Sequence, residues 1–173
     1  KDMRHRELKL GEGGLRDVEF AVQLLQLVHG RSDETLRPLA TVDALAALVR
    51  AGYVGREDGT QLIEAYEFLR LLEHRLQLER FRRTHTMPAA DDAVAMKWLA
   101  INSGFHSQGQ QSAADRLKEH LRKIRLRISE LHSRLFYRPL LNSVASMSAD
   151  ELKLSREAAV LQLAALGYRH PDR

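Results

Sequence analysis

Apolar residues three or four positions apart recur along most of this chain, and this spacing constrains the fold more than any other feature. Because an α-helix repeats every 3.6 residues, side chains spaced in this way share one helix face. Such a face is expected to pack against other helices of the same chain, and a self-associating coiled coil is the less favoured alternative. The clearest apolar row is Leu117, Leu121, Ile124, Ile128, Leu131 and Leu135.

Two further segments show helical spacing. The segment from about Asp58 to Arg82 is predicted to form a long helix, and Leu15 to His29 is predicted to form a helix that is mostly buried. Their apolar rows are Leu62, Ala65 or Tyr66, Leu69, Leu72 and Leu76 in the long helix, and Leu15, Val18, Val22, Leu25 and Val28 with a second row of Phe20, Leu24 and Leu27 in the earlier one.

Capping residues delimit these helices and shorter ones. Gly30 is expected to end the first helix, and Thr41 to cap a helix over Val42 to Ala51. Asp91 or Asp92 is expected to cap a further helix, and the stretch from Ser103 to Ser112 reads as a surface loop. The remaining signals are Pro139 as a helix interruption, a capping box at Ser148 and Glu151, and a last helix over Glu157 to Leu166.

The sequence therefore predicts an all-α fold, a bundle of about five or six helices, with one possible short strand over Glu7 to Leu10. At 173 residues and 44% hydrophobic, the chain is long enough for one core-bearing domain. It has no cysteine, which excludes disulfides and thiolate metal sites. No apolar run approaches the roughly 20 residues of a membrane span. A net charge of +4 is too small to argue for nucleic acid.

Three glycines, Gly11, Gly13 and Gly14, precede the first helix. Glycine allows positive φ and close approach of a ligand, and backbone amides at a helix N-terminus can donate to phosphate oxygens. As a bare pattern this is weak. It gains weight from the motifs that follow in order: KLGEGGLRDVEF from Lys9, AYEFLRLLEHRLQ from Ala65, THTMP from Thr84 and LFYRPLL from Leu135.

Together these motifs resemble the helical domain of the bifunctional glutamine synthetase adenylyltransferase/adenylyl-removing enzymes, a nucleotidyltransferase substrate-binding-domain type. The resemblance implies that residues 1–12 end a preceding nucleotidyltransferase domain, that 13–137 form the helical bundle domain, and that 138–173 form a helical linker towards the adenylyltransferase half. Since the first residue is Lys, the chain is expected to be a fragment.

The resemblance further implies a cytoplasmic enzyme of nitrogen regulation that uses ATP and Mg²⁺. Its partners would be glutamine synthetase, the PII signalling protein and the catalytic domains of the same chain, with no nucleic acid and no membrane. Metal-dependent nucleotidyl transfer in the polymerase-β-like superfamily, to which the resembled enzymes belong, needs a Gly-Ser turn followed by Asp-x-Asp. This chain lacks that motif. The fragment itself is therefore expected to be inactive, with no catalytic residue and no bound cofactor or metal.

The candidate residues of the nucleotide and substrate cleft surround the glycines. Lys9 and Arg16 could pair with phosphate oxygens. Alternatively, Asp17 and Glu19 only favour the helix dipole and Arg16 makes a local ion pair. The full candidate set is Lys9, Gly11, Gly13, Gly14, Arg16, Asp17 and Glu19.

Other polar groups favour structural interpretations. The Glu73-His74-Arg75 triplet is expected to lie away from the apolar row of its helix, with His74 either solvated or packed, and His85 could orient its loop. The histidine spacing does not favour a metal site. A basic helix face carries the expected pairs Glu119–Lys123 and Glu130–Arg134, and it is either solvated or meets an acidic partner. The basic residues are Arg116, Lys118, Arg122, Lys123, Arg125 and Arg127.

Two other functions are compatible with these patterns. The first is a non-catalytic helical adaptor that binds a protein through the basic helix. The second is the helical domain of a PII uridylyltransferase, which belongs to the same superfamily.

Overall fold

The fold is described from a computed structural model for residues 6–80 and 84–137, without the side chains of residues 79, 80, 136 and 137. The chain divides into two compact units, Lys1–Phe136 and Tyr137–Arg173. Within the described ranges, all the α-helices belong to the first unit. The signals predicted at Pro139, Ser148 with Glu151, and Glu157 to Leu166 lie outside the described residues.

Within the described ranges the fold is all-α and contains no β-strand, which confirms the predicted fold class. A short 3₁₀ turn, Glu34–Leu36, precedes the second helix, and a π-helical turn, Ser133–Tyr137, follows the last. None of these helices combines the length and apolar character that a bilayer crossing requires. The α-helices are α1 Leu15–His29, α2 Thr41–Arg50, α3 Arg56–Arg80, α4 Ala93–Asn102 and α5 Ala113–His132.

Helix α5 packs against α1, α3 and α4. Leu117, Ile128 and Leu131 on its predicted apolar row are at most 1% exposed, and Leu121 is 8% exposed. Fully burying such a side chain stabilises the fold by about 1.5–3 kcal/mol, so this row anchors the bundle. The prediction that the row packs within its own chain is confirmed.

Helix α3 begins at Arg56, two residues before the predicted start, and its 25 residues span about 37 Å. Its apolar row is buried as predicted and faces the core. Gly59 lies where α3 passes α2, and a Cβ at this position would collide with Val49 Cγ2. The buried members of the row are Leu62, Ala65, Leu69, Leu72 and Leu76.

The prediction that α1 is mostly buried is wrong for one of its faces. Leu15, Val18 and Val22 are buried. Phe20 and Leu27 of the second apolar row are 60% and 80% exposed. The other helices of this unit therefore cover the face that carries Leu15, Val18 and Val22, whereas Val28 at the end of the first row is 59% exposed.

The helix ends follow the predicted capping residues with one exception. Gly30 ends α1, and its N–H donates to the Gln26 carbonyl at 2.8 Å. Asp92 caps α4 by accepting from the Ala95 N–H at 3.0 Å. Thr41, however, is the first residue of α2, and Ala40 occupies the N-cap position without a side-chain bond. The predicted Thr41 cap is therefore wrong.

The possible strand over Glu7 to Leu10 is also not observed. Glu7 forms an isolated antiparallel bridge with Thr86, and residues 8–10 lie in a turn. A single bridge cannot continue into a ladder here, because the chain turns back to begin α1.

Candidate functional site

The segment before α1 is fixed against a distant loop. The Leu8 N–H donates to the His85 carbonyl at 2.8 Å, and the Met87 N–H donates to the Arg6 carbonyl at 2.8 Å. The Arg6 guanidinium adds two bonds to the Met87 carbonyl, from Nε at 3.0 Å and from Nη2 at 2.8 Å. Residues 6–8 are therefore fixed in position, and the glycine-rich turn, residues 9–14, follows them directly.

The turn supplies the acceptors that the first amides of α1 need. The Leu15 N–H donates to the Leu8 carbonyl at 3.0 Å, and the Arg16 N–H to the Lys9 carbonyl at 3.1 Å. The Gly14 N–H donates to the Gly11 carbonyl at 2.9 Å. Main-chain oxygens thus accept the hydrogen bonds that a capping side chain would otherwise accept, and α1 begins without a side-chain cap.

Gly13 allows this turn to lie directly on α5. Its φ is +66°, in the left-handed region, and its N–H donates to Asp17 Oδ2 at 2.7 Å. A Cβ on Gly13 would lie 2.7 Å from both the carbonyl carbon and the Cα of Arg125. From the opposite direction, Arg125 Nη2 donates to the Glu7 carbonyl at 2.6 Å. The sequence feature that suggested a ligand site is therefore also a packing requirement.

The charged candidates around the turn fall into two groups. Asp17 accepts from Gly13, and Glu19 accepts from the Tyr66 hydroxyl at 3.3 Å, so both carboxylates have internal partners. Burial raises the pKa of Tyr66, which keeps this hydroxyl protonated as a donor. By contrast, Lys9 and Arg16 form no ion pair with any described residue, and their main chains are hydrogen bonded to each other.

This arrangement defines what the turn could bind. The amides of Gly13 and Gly14 already donate to protein oxygens, so an anion would be bound mainly by the Lys9 and Arg16 side chains. Ammonium and guanidinium groups form short, charge-assisted bonds to phosphate oxygens. The role of the seven candidate residues in a nucleotide cleft stays a prediction.

Glu73 is a polar residue for which the position expected from the sequence is wrong. It is only 3% exposed, and its carboxylate contacts Arg70 Nη1 and His85 Nδ1. Its place in the sequence offered a signal, because residue 73 follows Leu69 by four positions and precedes Leu76 by three. Since the His85 carbonyl holds Leu8, Glu73 indirectly supports the glycine-rich turn. His74 is exposed, which agrees with the first of its two expected positions.

The ion pairs of α5 follow the predicted pattern in part. Lys123 pairs with Glu119 at 3.5 Å, but Arg122 holds Glu119 more closely through two bonds of 2.9 and 3.0 Å. The hydrogen bond from Arg122 lowers the pKa of Glu119 to about 2. The expected pairing of Glu130 with Arg134 is wrong.

The two residues of that expected pair have other partners. Glu130 pairs with Arg127 at 3.6 Å, and Arg134 pairs with Asp58 of α3 at 2.5 Å. Over residues 6–80 and 84–137, no three His, Asp or Glu side chains are grouped so as to hold a metal ion.

Comparisons with known proteins agree with the sequence motifs. A family model described as GlnD PII-uridylyltransferase matches residues 2–136. A protein of Corynebacterium efficiens is 67% identical over all 173 residues, and one of Corynebacterium glutamicum is 68% identical over the same length. A protein of Nocardia farcinica is 58% identical over 171 residues, or 99% of this chain.

All three relatives are named bifunctional glutamine synthetase adenylyltransferase/adenylyl-removing enzyme, and this chain spans only 16–17% of their length. The resemblance that the sequence motifs indicated is thereby confirmed. The chain belongs to the GlnD PII-uridylyltransferase family, and over its whole length it is similar to the bifunctional glutamine synthetase adenylyltransferase/adenylyl-removing enzymes.

Proposed function

We propose that this chain is the helical region that borders the substrate cleft of an enzyme that adenylylates and deadenylylates glutamine synthetase. One observation carries the proposal: relatives of that name match the whole chain at 67–68% identity. Within such an enzyme, the bundle would close over a catalytic domain and hold the two catalytic halves in register. The enzyme would work in the cytoplasm, with glutamine synthetase as its substrate and the PII signalling protein as its regulator.

The glycine-rich turn is the part of the bundle that we assign to the cleft. Lys9 and Arg16 have no carboxylate partner among the described residues, and they suit the phosphate oxygens of ATP. The turn that carries them is held by the Leu8–His85 and Arg6–Met87 hydrogen bonds, which fix the main chain just before Lys9.

We assign the Mg²⁺ ligands to other parts of the enzyme. The sequence has no Gly-Ser turn followed by Asp-x-Asp, and the described residues offer no group of three acidic or histidine side chains. Magnesium bound to the nucleotide would neutralise charge on the transferring phosphoryl group. The residues of this chain would contribute binding and orientation, and they would help to exclude water from the cleft.

The central test uses the full-length enzyme with Arg16→Ala and Lys9→Ala. Each variant should raise the KM for ATP by about 5- to 30-fold, which corresponds to the roughly 1–2 kcal/mol of a partly exposed charge-assisted contact. Arg50→Ala is the matched control, because Arg50 is an exposed arginine at the end of α2. Unchanged KM in both cleft variants would contradict the assignment.

A second test asks where the chemistry resides. The isolated 173-residue chain, incubated with glutamine synthetase, ATP and Mg²⁺, should transfer no adenylyl group. Measurable turnover would show that these helices carry catalytic residues, and the proposal of a purely supporting role would then be wrong.

Uridylyl transfer to PII is the second candidate, because the matching family model is described as a PII-uridylyltransferase. The two candidates differ in nucleotide and acceptor. The full-length enzyme can be assayed with UTP and PII, and in parallel with ATP and glutamine synthetase. We expect activity only with ATP and glutamine synthetase.

A further inference from the structure

A cavity of about 490 Å³ lies between α5, α4 and the loop that follows Thr86. Its inner wall is apolar and closely packed, because Met87, Met96 and Leu121 are each less than 10% exposed. Pro88 and Leu126 extend this apolar surface towards the opening. Cavities of roughly 300–1,000 Å³ with an apolar lining and a few polar groups are typical of sites for small organic molecules.

The remaining wall of the cavity is strongly basic. Lys118, Arg122 and Arg125 line it from α5, and Arg6 lines it from the segment before α1. The three residues of α5 are spaced by four and three positions, so they lie on one helix face. Glu12 is the single acidic residue among the described lining residues. The cavity therefore combines an apolar floor with an excess of positive charge.

Two of these cations keep their charge available to a ligand. Lys118 is exposed and forms no ion pair with a described residue. Arg6 donates to the Met87 carbonyl, a neutral acceptor, which orients the guanidinium without neutralising it. Arg122 is different, because Glu119 already accepts two of its hydrogen bonds. Lys118 and Arg6 are thus the main candidates for contact with an anion.

The placement of like charges also favours an anion. Cations four residues apart on one helix face repel each other at a cost to helix stability, as for Lys118 and Arg122, although Glu119 offsets part of the Arg122 charge. A bound anion would remove this penalty and stabilise the folded chain by mass action. An acidic protein surface could supply the same charge, but the apolar wall beside these cations also fits the apolar body of a small molecule.

We propose that this cavity binds a small organic anion, whose phosphate or carboxylate contacts Lys118 and Arg6 and whose apolar body packs on Met87, Met96 and Leu121. The site is separate from the Lys9 and Arg16 side chains of the glycine-rich turn, and it does not depend on the function proposed for that turn. It also gives three of the basic residues of α5, Lys118, Arg122 and Arg125, a common location beside one ligand.

Phenyl phosphate is a suitable probe, because it joins a phosphate to one aromatic ring. Titration calorimetry on the 173-residue chain should show saturable binding at one site. Phenol, which lacks the phosphate, and inorganic phosphate, which lacks the aromatic ring, are the matched controls. Each should bind at least about five-fold more weakly than phenyl phosphate. Equal binding of inorganic phosphate would reveal a surface charge effect only and would overturn the proposal, as would the absence of binding.

Substitutions locate the binding within the molecule. Lys118→Gln should weaken phenyl phosphate about five-fold or more, and Leu126→Ser should weaken it by a smaller factor. Both side chains are exposed, so thermal unfolding should show that the variants remain folded. Lys97→Gln on α4 is the control, because Lys97 is an exposed lysine outside this cavity. Affinity that is the same in Lys118→Gln and Lys97→Gln would refute the site.

Discussion

Replacing Gly13 by alanine tests the packing of the glycine-rich turn directly. Gly13 has a φ of +66°, and a Cβ there would overlap the main chain of Arg125, with the carbonyl carbon and Cα both at 2.7 Å. Main-chain atoms within a helix cannot rotate away as a flexible side chain can. The turn or α5 would therefore have to shift, and the hydrogen bond from Arg125 Nη2 to the Glu7 carbonyl would be strained.

The expected loss has two parts. An L-residue in the left-handed region costs about 1–2 kcal/mol, of which the reduced freedom of the unfolded chain returns roughly 0.4–1 kcal/mol. Overpacking against neighbouring atoms adds about 1–3 kcal/mol. Gly13→Ala should therefore lower the free energy of unfolding by about 1–4.5 kcal/mol, a large part of the stability of a small domain.

Gly109→Ala separates these two parts. Gly109 has a φ of +57°, but no atom lies within 4 Å of the position that a Cβ would occupy, so only the backbone cost applies. Urea unfolding followed by circular dichroism at the helix band should show a loss of at most about 1.5 kcal/mol for this control. If both variants lose the same stability, the close contact between the turn and α5 does not exist, and the reasoning fails.

Three further predictions concern titratable groups. Glu73→Ala should destabilise the chain by about 1–3 kcal/mol in urea unfolding because it removes the buried partner of two donors, whereas Glu67→Ala on the exposed face should cost less than about 0.5 kcal/mol. The pKa of Glu119 is lowered from 4.5 to about 2, so the contribution of its carboxylate to stability is complete above pH 4.5 and is lost as the pH falls to about 2. In urea unfolding, the difference in stability between wild type and Glu119→Gln should vanish over that pH range. Burial and Lys123 lower the pKa of His120, so NMR titration should place this pKa below 6.5. Acidification below pH 6.5 should destabilise the fold through this group, because the folded chain holds the proton less tightly than the unfolded chain. Phe68→Ala opens the aromatic contact to water and should move the pKa of His120 back upward.

The helices could be predicted from the sequence because their signals are local. The apolar row of α5 repeats every three or four residues, and the same spacing defines the buried face of α3. Asp92 marks the start of α4 with a side chain that bonds three residues ahead. In each case, the signal itself, a repeat of apolar residues or a capping side chain, lies within one or two helical turns.

The features that the sequence did not predict depend on distant partners. Phe20 and Leu27 have the right spacing for burial, but exposure depends on whether another helix lies over them, and none of the described helices does. The spacing of Glu73 from Leu69 and Leu76 places it beside the buried row, but nothing near residue 73 signals its distant partner His85. For the candidate site, the sequence located the glycine-rich turn but not Arg125, its packing partner.

The bond between Arg125 and the Glu7 carbonyl has a consequence for synthesis of the protein. It joins positions 118 residues apart, and a ribosome that adds 5–20 residues per second needs roughly 6–24 s to cover that distance. Throughout this interval the glycine-rich turn exists without the helix on which it rests. Leu8 and the apolar side of α1 therefore lack their α5 partner until α5 has been translated.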